Sequence, residues 1–269
     1  MKNYLKIFLV MALVNTGLVV SAQHKSSIKE EAVTYTSNGV TLKSFVFYNE
    51  KQKGKRPAII VVPEWWGNND YAKMRAHKLA ELGYIAIATD FYGEDKIAAD
   101  PKEAQEMATP FYKDAQLGES RLLAAISKLK EFKETDENKI AAIGYCFGGS
   151  MVLNAATLGT ADLKGVVSFH GGLGSVPPAT TGSVKSKILV CHGDADKFVP
   201  PADVAKFTSN LDSVNVPFTF IAYANATHAF TNPQSTATGK KFSMPIEYNE
   251  AADKKSWNDM KAFFKQLFM

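Results

Sequence analysis

The sequence is poor in cysteine, histidine and arginine, and this scarcity excludes several classes of protein. Its 269 residues include two cysteines and five histidines, and the arginines are Arg56, Arg75 and Arg121. No His, Asp or Glu cluster has the ligand spacing of a metal site, so we expect neither a metal nor a cofactor. The formal net charge is only +4, without a basic stripe, which argues against a nucleic-acid partner.

Long apolar runs are also scarce. The run Ile7–Val20 is shorter than the about 20 residues of a bilayer span and is broken by Asn15. Two lysines precede it and small residues follow, the order of a signal peptide. We therefore predict a signal peptide at 1–22 and an exported mature chain at 23–269 without a stable membrane span. The export site would be the periplasm in a Gram-negative source.

The full chain has the composition of a globular protein, and the pattern of the mature part predicts a single α/β domain. Hydrophobic residues make up 46% and charged residues 22%. Two initial strands form a hairpin around Ser37-Asn38-Gly39, and strands then alternate with helices. The predicted strands are 32–36, 40–47, 57–62, 84–89, 139–143, 166–169, 188–191 and 216–223. The predicted helices are 69–82, 101–112, 117–132, 150–158, 201–211 and 247–267. This alternation predicts a mostly parallel central sheet of about eight strands with helices on both faces and reactive groups at the strands' carboxyl ends.

The segment Ile140–Gly149 has the pattern of a nucleophile elbow with cysteine in the place of serine. A buried strand runs into Gly144-Tyr-Cys146-Phe-Gly148 and then into a helix of small residues. Glycine is needed on both flanks because a side chain there would collide with the neighbouring strand or helix. The first amides of the helix would favour a thiolate and an oxyanion. The alternative is a buried structural cysteine in an ordinary tight turn.

Two acids compete for the role of orienting a catalytic histidine. Asp194 and Asp196 both follow the strand 188–191. The pattern His-Gly-x-x-Asp-x-x-Val-Pro assigns the role to Asp196, and Asp194 then becomes a turn residue.

The candidate histidine is His228. His170 and His192 also follow strands, but only His228 comes after the acid at the carboxyl end of a strand. The order Cys146, Asp196, His228 is that of an α/β-hydrolase triad, in which the acid fixes the tautomer of the imidazole that holds the thiol proton. A solvated loop histidine is the alternative.

A fourth motif, residues 61–67, ends the third predicted strand with Pro-Glu-Trp-Trp-Gly. This place supplies an oxyanion-hole amide, so we assign the hole to the backbone N–H groups of Trp65 and Phe147. Glu64 is either a solvated carboxylate or a group that helps to deprotonate Cys146.

The two cysteines are predicted to stay free. Cys146 and Cys191 lie near the carboxyl ends of parallel strands with one strand between them, and two strand spacings of about 10 Å exceed the reach of a disulfide.

Together these motifs resemble the dienelactone hydrolase family over about residues 32–268. The specific part is the elbow Gly-Tyr-Cys-Phe-Gly-Gly together with Pro-Glu-Trp-Trp-Gly. Gly-x-x-Asp-Lys-Phe-Val-Pro and Thr-His-Ala-Phe are similar to the same family. The resemblance implies an α/β-hydrolase fold and ester hydrolysis. It also implies that Glu64 contacts the resting thiol and shifts when substrate binds.

One departure from the family concerns the substrate. Family enzymes that act on dienelactone hold its carboxylate with arginines, whereas segments 90–96 and 230–234 here contain none. We therefore expect neutral or apolar esters, lactones or thioesters. Aromatic residues would form the walls, with substrate contacts predicted for Trp66, Tyr92 and Tyr145. The segment 171–187 could flank the pocket.

The leading hypothesis is an exported hydrolase that forms an acyl-cysteine with a small-molecule ester or lactone. A thioesterase or acyltransferase would use the same residues, because water and another acceptor compete for one intermediate. A binding protein that has kept the fold without turnover is the third possibility. The expected assembly is a monomer or a small homo-oligomer.

Overall fold

The computed structural model describes residues 27–269, in which eight strands form one mixed sheet. The strands are β1 (Ile28–Ser37), β2 (Val40–Asn49), β3 (Arg56–Val62), β4 (Ile85–Ala88), β5 (Thr135–Tyr145), β6 (Leu163–Phe169), β7 (Lys187–Gly193) and β8 (Phe218–Tyr223). Their order in the sheet is β1-β2-β4-β3-β5-β6-β7-β8. The pairs β1–β2 and β2–β4 are antiparallel and all others are parallel. The predicted fold class is therefore confirmed.

Helices cover both faces of this sheet. They are α1 (Asp70–Glu81), α2 (Pro101–Lys113), α3 (Ala115–Lys130), α4 (Phe147–Leu158), α5 (Pro201–Ser213), α6 (Ser235–Phe242) and α7 (Glu250–Leu267). Helix α6 was not predicted, because its eight residues contain no repeated apolar spacing. Helix α4 begins three residues earlier than predicted. Its first turn contains Gly148 and Gly149, and the low helix propensity of glycine argues against a helix there.

The side chains of the central strands point alternately to the two faces of the sheet, so each face has its own hydrophobic core. Ile60 and Val62 of β3 belong to the core that includes buried residues of helices α2 to α5. Ile59 and Val61 belong to the opposite core, with buried residues of α1 and α7. Strands buried on both sides read as continuous apolar runs, which is why 57–62 was recognisable in the sequence. The sheet is thus a rigid support for the loops at its carboxyl edge.

Two local predictions are confirmed by the backbone. The hairpin pairs Ser37 with Val40, and both turn residues, Asn38 and Gly39, have positive φ. Cys146 follows β5 and Cys191 lies in β7, with β6 between them, and both are free.

The predicted signal peptide, residues 1–22, lies outside the described residues. Within residues 27–269, no helix combines the length and the hydropathy that a bilayer span requires.

Candidate active site

The turn between β5 and α4 has the strained geometry of a nucleophile elbow. Cys146 has φ 52° and ψ −114°, a conformation that L-residues rarely adopt. A β-carbon at Gly144 would lie 2.0 Å from the carbonyl oxygen of Gly148, and one at Gly148 would lie 2.3 Å from that of Val62. Both glycines are therefore required by close backbone approach, as the sequence pattern predicted.

The half-buried Cys146 opens into a cavity of about 450 Å³ at the carboxyl edge of the sheet. His228, Glu64 and the two consecutive tryptophans Trp65 and Trp66 line the same cavity. The structure thus brings together residues that the sequence separates by up to 164 positions. Their catalytic roles stay predictions.

Asp196, and not Asp194, contacts the candidate histidine. The Nδ1 atom of His228 lies 2.7 Å from the Oδ2 atom of Asp196, whose side chain is completely buried, whereas Asp194 is exposed. The backbone N–H of Phe198 donates to the other carboxylate oxygen of Asp196 at 2.8 Å. This arrangement leaves Nε2 of His228 for Cys146, with which the ring interacts.

The ionisation of His228 depends on these two partners. Burial by itself lowers the pKa of His228, but the charge of Cys146 and the hydrogen bond that the ring donates to Asp196 outweigh burial and hold the pKa well above its ordinary value. The imidazole of His228 can therefore hold a proton beside Cys146, as the histidine partner of a cysteine nucleophile must.

Glu64 is a buried carboxyl group in the cavity wall, not a solvated one. It is 3% exposed, and Nδ2 of Asn232 donates to its Oε2 at 2.7 Å. Burial raises the pKa of Glu64 to about 7, although Asn232, His228 and Arg75 each lower it. Among the described residues its hydrogen-bond partner is Asn232 rather than the Cys146 thiol. No signal in the sequence marks Asn232, because its partner Glu64 lies 168 positions away.

The proposed oxyanion hole has suitable surroundings. Phe147 is the first residue of α4, so its N–H has no acceptor within its own helix. Trp65 lies in the cavity wall, and its carbonyl oxygen accepts a hydrogen bond from the hydroxyl group of Tyr92 at 3.0 Å. The Tyr92 ring packs on Phe147 and does not itself line the cavity. Tyr92 therefore supports the loop that carries Trp65, rather than forming the wall.

The prediction that Tyr145 contacts the substrate is wrong. Tyr145 is completely buried and stacks on Phe169 with ring centroids 4.8 Å apart. It belongs to the core beneath α1 and α7 and is absent from the cavity lining. The physical reason is the two-residue period of a strand, which turns this side chain toward the interior although its neighbour in sequence is the nucleophile. Trp66 does line the cavity, where it stacks on Phe242 of α6.

Several further residues complete the cavity wall. Segment 171–187 supplies Leu173, with its flanking glycines and Ser175, as its composition suggested. The remaining wall residues come from α2, from the loop after Asp196, from α5, from the position after His228 and from the segment after α6: Gln105, Tyr112, Phe198, Val199, Asp203, Ala229, Met244 and Ile246. These side chains belong to ordinary loop and helix patterns, and only the folded chain makes them neighbours.

The cavity wall contains no lysine or arginine within the part of the chain that the structure describes. The three arginines bind elsewhere. Arg56 donates to the carbonyl of Asn49, Arg121 donates to the chain at residues 37 and 91, and Arg75 forms a buried ion pair with Asp253. Glu64 and Asp203 are the acidic residues of the wall. An anionic substrate would find no lysine or arginine partner in this wall.

Comparisons with known proteins identify the family and support the fold. The model of the dienelactone hydrolase family matches residues 42–268. The crystal structure of a dienelactone hydrolase-like promiscuous phosphotriesterase from metagenomic libraries has a TM-score of 0.84 at 32% identity, covering 91% of this chain and all of that one. A provisionally named carboxymethylenebutenolidase of Aquifex aeolicus is 25% identical over 75% of this chain and 87% of its own. A Klebsiella pneumoniae structure shares the fold, with a TM-score of 0.74 at 22% identity over 90% of this chain and all of that one.

Proposed function

Since this chain belongs to the dienelactone hydrolase family and is a hydrolase of ester bonds, we propose that it cleaves neutral carboxylic esters or lactones through an acyl-cysteine at Cys146. The observation that carries the proposal is the contact of His228 with Asp196 on one side and Cys146 on the other, at a strained elbow that opens into a cavity. A cysteine in a merely tight turn would need none of these partners.

The first half of the reaction would form the thioester. The thiolate of Cys146 attacks the acyl carbon, and the carbonyl oxygen gains the negative charge between the N–H groups of Trp65 and Phe147. The carbon–oxygen bond to the alcohol then breaks, and the protonated His228 gives its proton to the departing oxygen. A lactone would stay attached to the enzyme through its acyl end.

The second half would hydrolyse the thioester. His228 takes a proton from water, the resulting hydroxide attacks the acyl carbon, and the carbon–sulfur bond breaks to restore the thiolate. Asp196 keeps the imidazole in one tautomer throughout. Glu64, with a pKa raised to about 7 by burial, is able to accept or release a proton in the neutral range, which suits a group that assists activation of the thiol.

The substrate class follows from the charges of the cavity. A carboxylate beside Glu64 and Asp203 would lose its hydration without gaining a lysine or arginine partner in the described wall, and His228 is already paired with Asp196. Trp65, Trp66 and Phe198 offer apolar surface instead. Neutral esters and lactones should therefore react faster than anionic ones of the same size.

The test is hydrolysis by the protein that begins at Gln23, measured beside its Cys146→Ala variant. Short p-nitrophenyl esters, neutral lactones and one anionic dienelactone form the panel. We expect turnover of the neutral substrates that disappears in the variant. Equal rates in both proteins would eliminate Cys146 as the nucleophile, and preference for the dienelactone would refute the charge argument. No turnover in either protein would favour a binding role.

Export remains a proposal that rests on the pattern of residues 1–22. Expression of the full-length chain in a Gram-negative host, followed by fractionation and mass measurement, tests it. We expect a periplasmic product that begins near Gln23. An intact N terminus in the cytoplasmic fraction would contradict the proposal.

A further inference from the structure

His170 lies directly behind the nucleophile, in a place that the proposed chemistry does not use. It follows β6, is completely buried and has φ 42°, a conformation that is strained for a residue with a side chain. Its own N–H donates to the carbonyl of Cys191 at 2.8 Å. A strained, buried and titratable residue at this position calls for a physical reason.

The side chain of His170 accepts a hydrogen bond from the nucleophile's backbone. The N–H of Cys146 is shared between the carbonyl oxygen of Phe169 at 3.0 Å and the Nδ1 atom of His170 at 3.1 Å. Cys146 is the N-cap of α4 and has no side-chain capping bond of its own. The His170 imidazole is therefore a second restraint on Cys146, whose backbone is strained at the elbow.

The other ring nitrogen of His170, Nε2, forms a hydrogen bond on the side away from Cys146. Since Nδ1 accepts from Cys146, Nε2 carries the proton and donates to Oγ1 of Thr231 at 2.7 Å. Thr231 in turn shares a hydrogen bond of 2.6 Å with the hydroxyl of Tyr71, which accepts from Nε of Arg75 at 3.3 Å. Arg75 is held by Asp253 of α7 through the buried ion pair. The ring is thus connected to two helices on the far side of the sheet.

His170 also contacts the candidate catalytic base. The rings of His170 and His228 meet edge to face with centroids 5.3 Å apart, and Phe230 packs edge to face on His170 at the same separation. Burial, followed by the charges of His228 and Arg75, holds the pKa of His170 well below its ordinary value. The ring therefore stays neutral, as an acceptor for an N–H must be, and adds no positive charge beside His228.

From these contacts we propose that His170 is a positioning residue that fixes the backbone of Cys146 and the ring of His228 relative to one another. The inference rests on the proposed function, in which Cys146 is the nucleophile. His170 does not touch the substrate in this account. Its effect is geometric: it holds the sulfur and the imidazole within the narrow range that attack and proton transfer require, where a displacement of about 1 Å can cost about 100-fold in rate.

Three variants of the full chain test this assignment. His170→Gln can place an amide near the position of Nε2 but offers no acceptor near Nδ1, and His170→Phe keeps the packing of a ring and removes both nitrogen atoms. His170→Asn places an oxygen near the position of Nδ1 and retains the acceptor. We expect the Gln and Phe variants to lose about 10- to 100-fold in kcat with KM within about twofold, and the Asn variant to recover most of the loss.

A matched control separates positioning from stability. Tyr223 is buried on the same side of the sheet, and its hydroxyl group donates to Asp259 at 2.7 Å and not to Cys146 or His228. Tyr223→Phe should lower the melting temperature while kcat stays unchanged. The melting temperature of every variant is measured in parallel. The Phe variant at position 170 supplies the answer if the Gln variant does not fold.

The outcomes are distinct. Wild-type kcat in the folded Gln or Phe variant would overturn the assignment, and so would an equal loss in the Asn and Gln variants, because the acceptor at Nδ1 would then be irrelevant. Cys146→Ala in the same assay reports on the proposed function separately. Turnover that survives in Cys146→Ala refutes the nucleophile, whereas loss there with wild-type kcat at position 170 refutes only the positioning role.

Discussion

The buried carboxyl group of Glu64 should make the folding stability of this protein depend on pH in a way that its amide analogue does not. The group lies in an apolar wall with Asn232 as its hydrogen-bond donor, and burial raises its pKa from 4.5 to about 7. In the unfolded chain the same carboxyl group is in water and titrates near its ordinary value. Glu64→Gln keeps the shape and removes the titration.

The sign follows from proton linkage. Below pH 4.5 the carboxyl group is protonated in both states, and the folded protein is most stable relative to the variant. As pH rises from 4.5 toward 7, the unfolded state loses the proton first, so the free energy of unfolding falls. Above about pH 7 both states are ionised and the loss is complete. The difference between about 7 and 4.5, at 1.36 kcal/mol for each pH unit, gives a loss of about 3 kcal/mol.

The assay is urea unfolding of the wild type and Glu64→Gln at several pH values between 4 and 8.5. The difference between the two free energies of unfolding is plotted, because titrations that both proteins share largely cancel. We expect the wild type to lose about 3 kcal/mol relative to the variant across this range. A difference that stays constant with pH would refute the reasoning, because Glu64 would then titrate equally in both states.

Three further substitutions test other parts of the site. Asp196→Asn should lower kcat by about 10⁴-fold, as the same change does in serine triads, because the imidazole loses the group that fixes its tautomer. Gly148→Ala should destabilise the fold by about 1–3 kcal/mol in urea unfolding, since the new β-carbon would lie 2.3 Å from the Val62 carbonyl oxygen. Arg75→Met should cost about 3–5 kcal/mol, because it leaves Asp253 as a buried, unpaired charge.

Each of these has its own control. Asp194→Asn, at an exposed acid two residues away, should leave kcat unchanged, and equal losses at both acids would contradict the assignment of Asp196. Gly182→Ala lies in open space, although its positive φ adds a small strain, so it should cost much less than Gly148→Ala. A double variant, Arg75→Met with Asp253→Leu, should recover part of the lost stability, and no recovery would argue against the buried ion pair.

Much of the fold could be predicted from local patterns. Continuous apolar runs such as 57–62 identified strands that are buried on both faces, and the alternation with helices required parallel pairing. The boundaries of helices and strands were predicted less accurately where residue propensities do not distinguish one structure from another. Strand β5 begins at Thr135 rather than Lys139, and helix α6 has too few apolar residues to be recognised.

Part of the candidate site, too, could be predicted from local patterns and part could not. The elbow glycines could be recognised because backbone crowding at the turn requires glycine beside Cys146. Asp196 and His228 could be recognised because each follows a strand in the chain order of a triad. Tyr145 was assigned wrongly because proximity in sequence to the nucleophile is not proximity to the cavity. The period of the strand turns its side chain into the opposite core.

By itself, then, the sequence determined the mostly parallel sheet, the strain at Cys146 and the chemistry of its candidate partners, since each depends on short-range patterns of apolar residues and glycine. Only the tertiary structure decided the cavity walls, the hydrogen bond from Asn232 to Glu64 and the support of Cys146 by His170. These contacts join residues 168 and 24 positions apart. Their formation depends on how loops from different strands meet at one edge of the sheet, which no local pattern records.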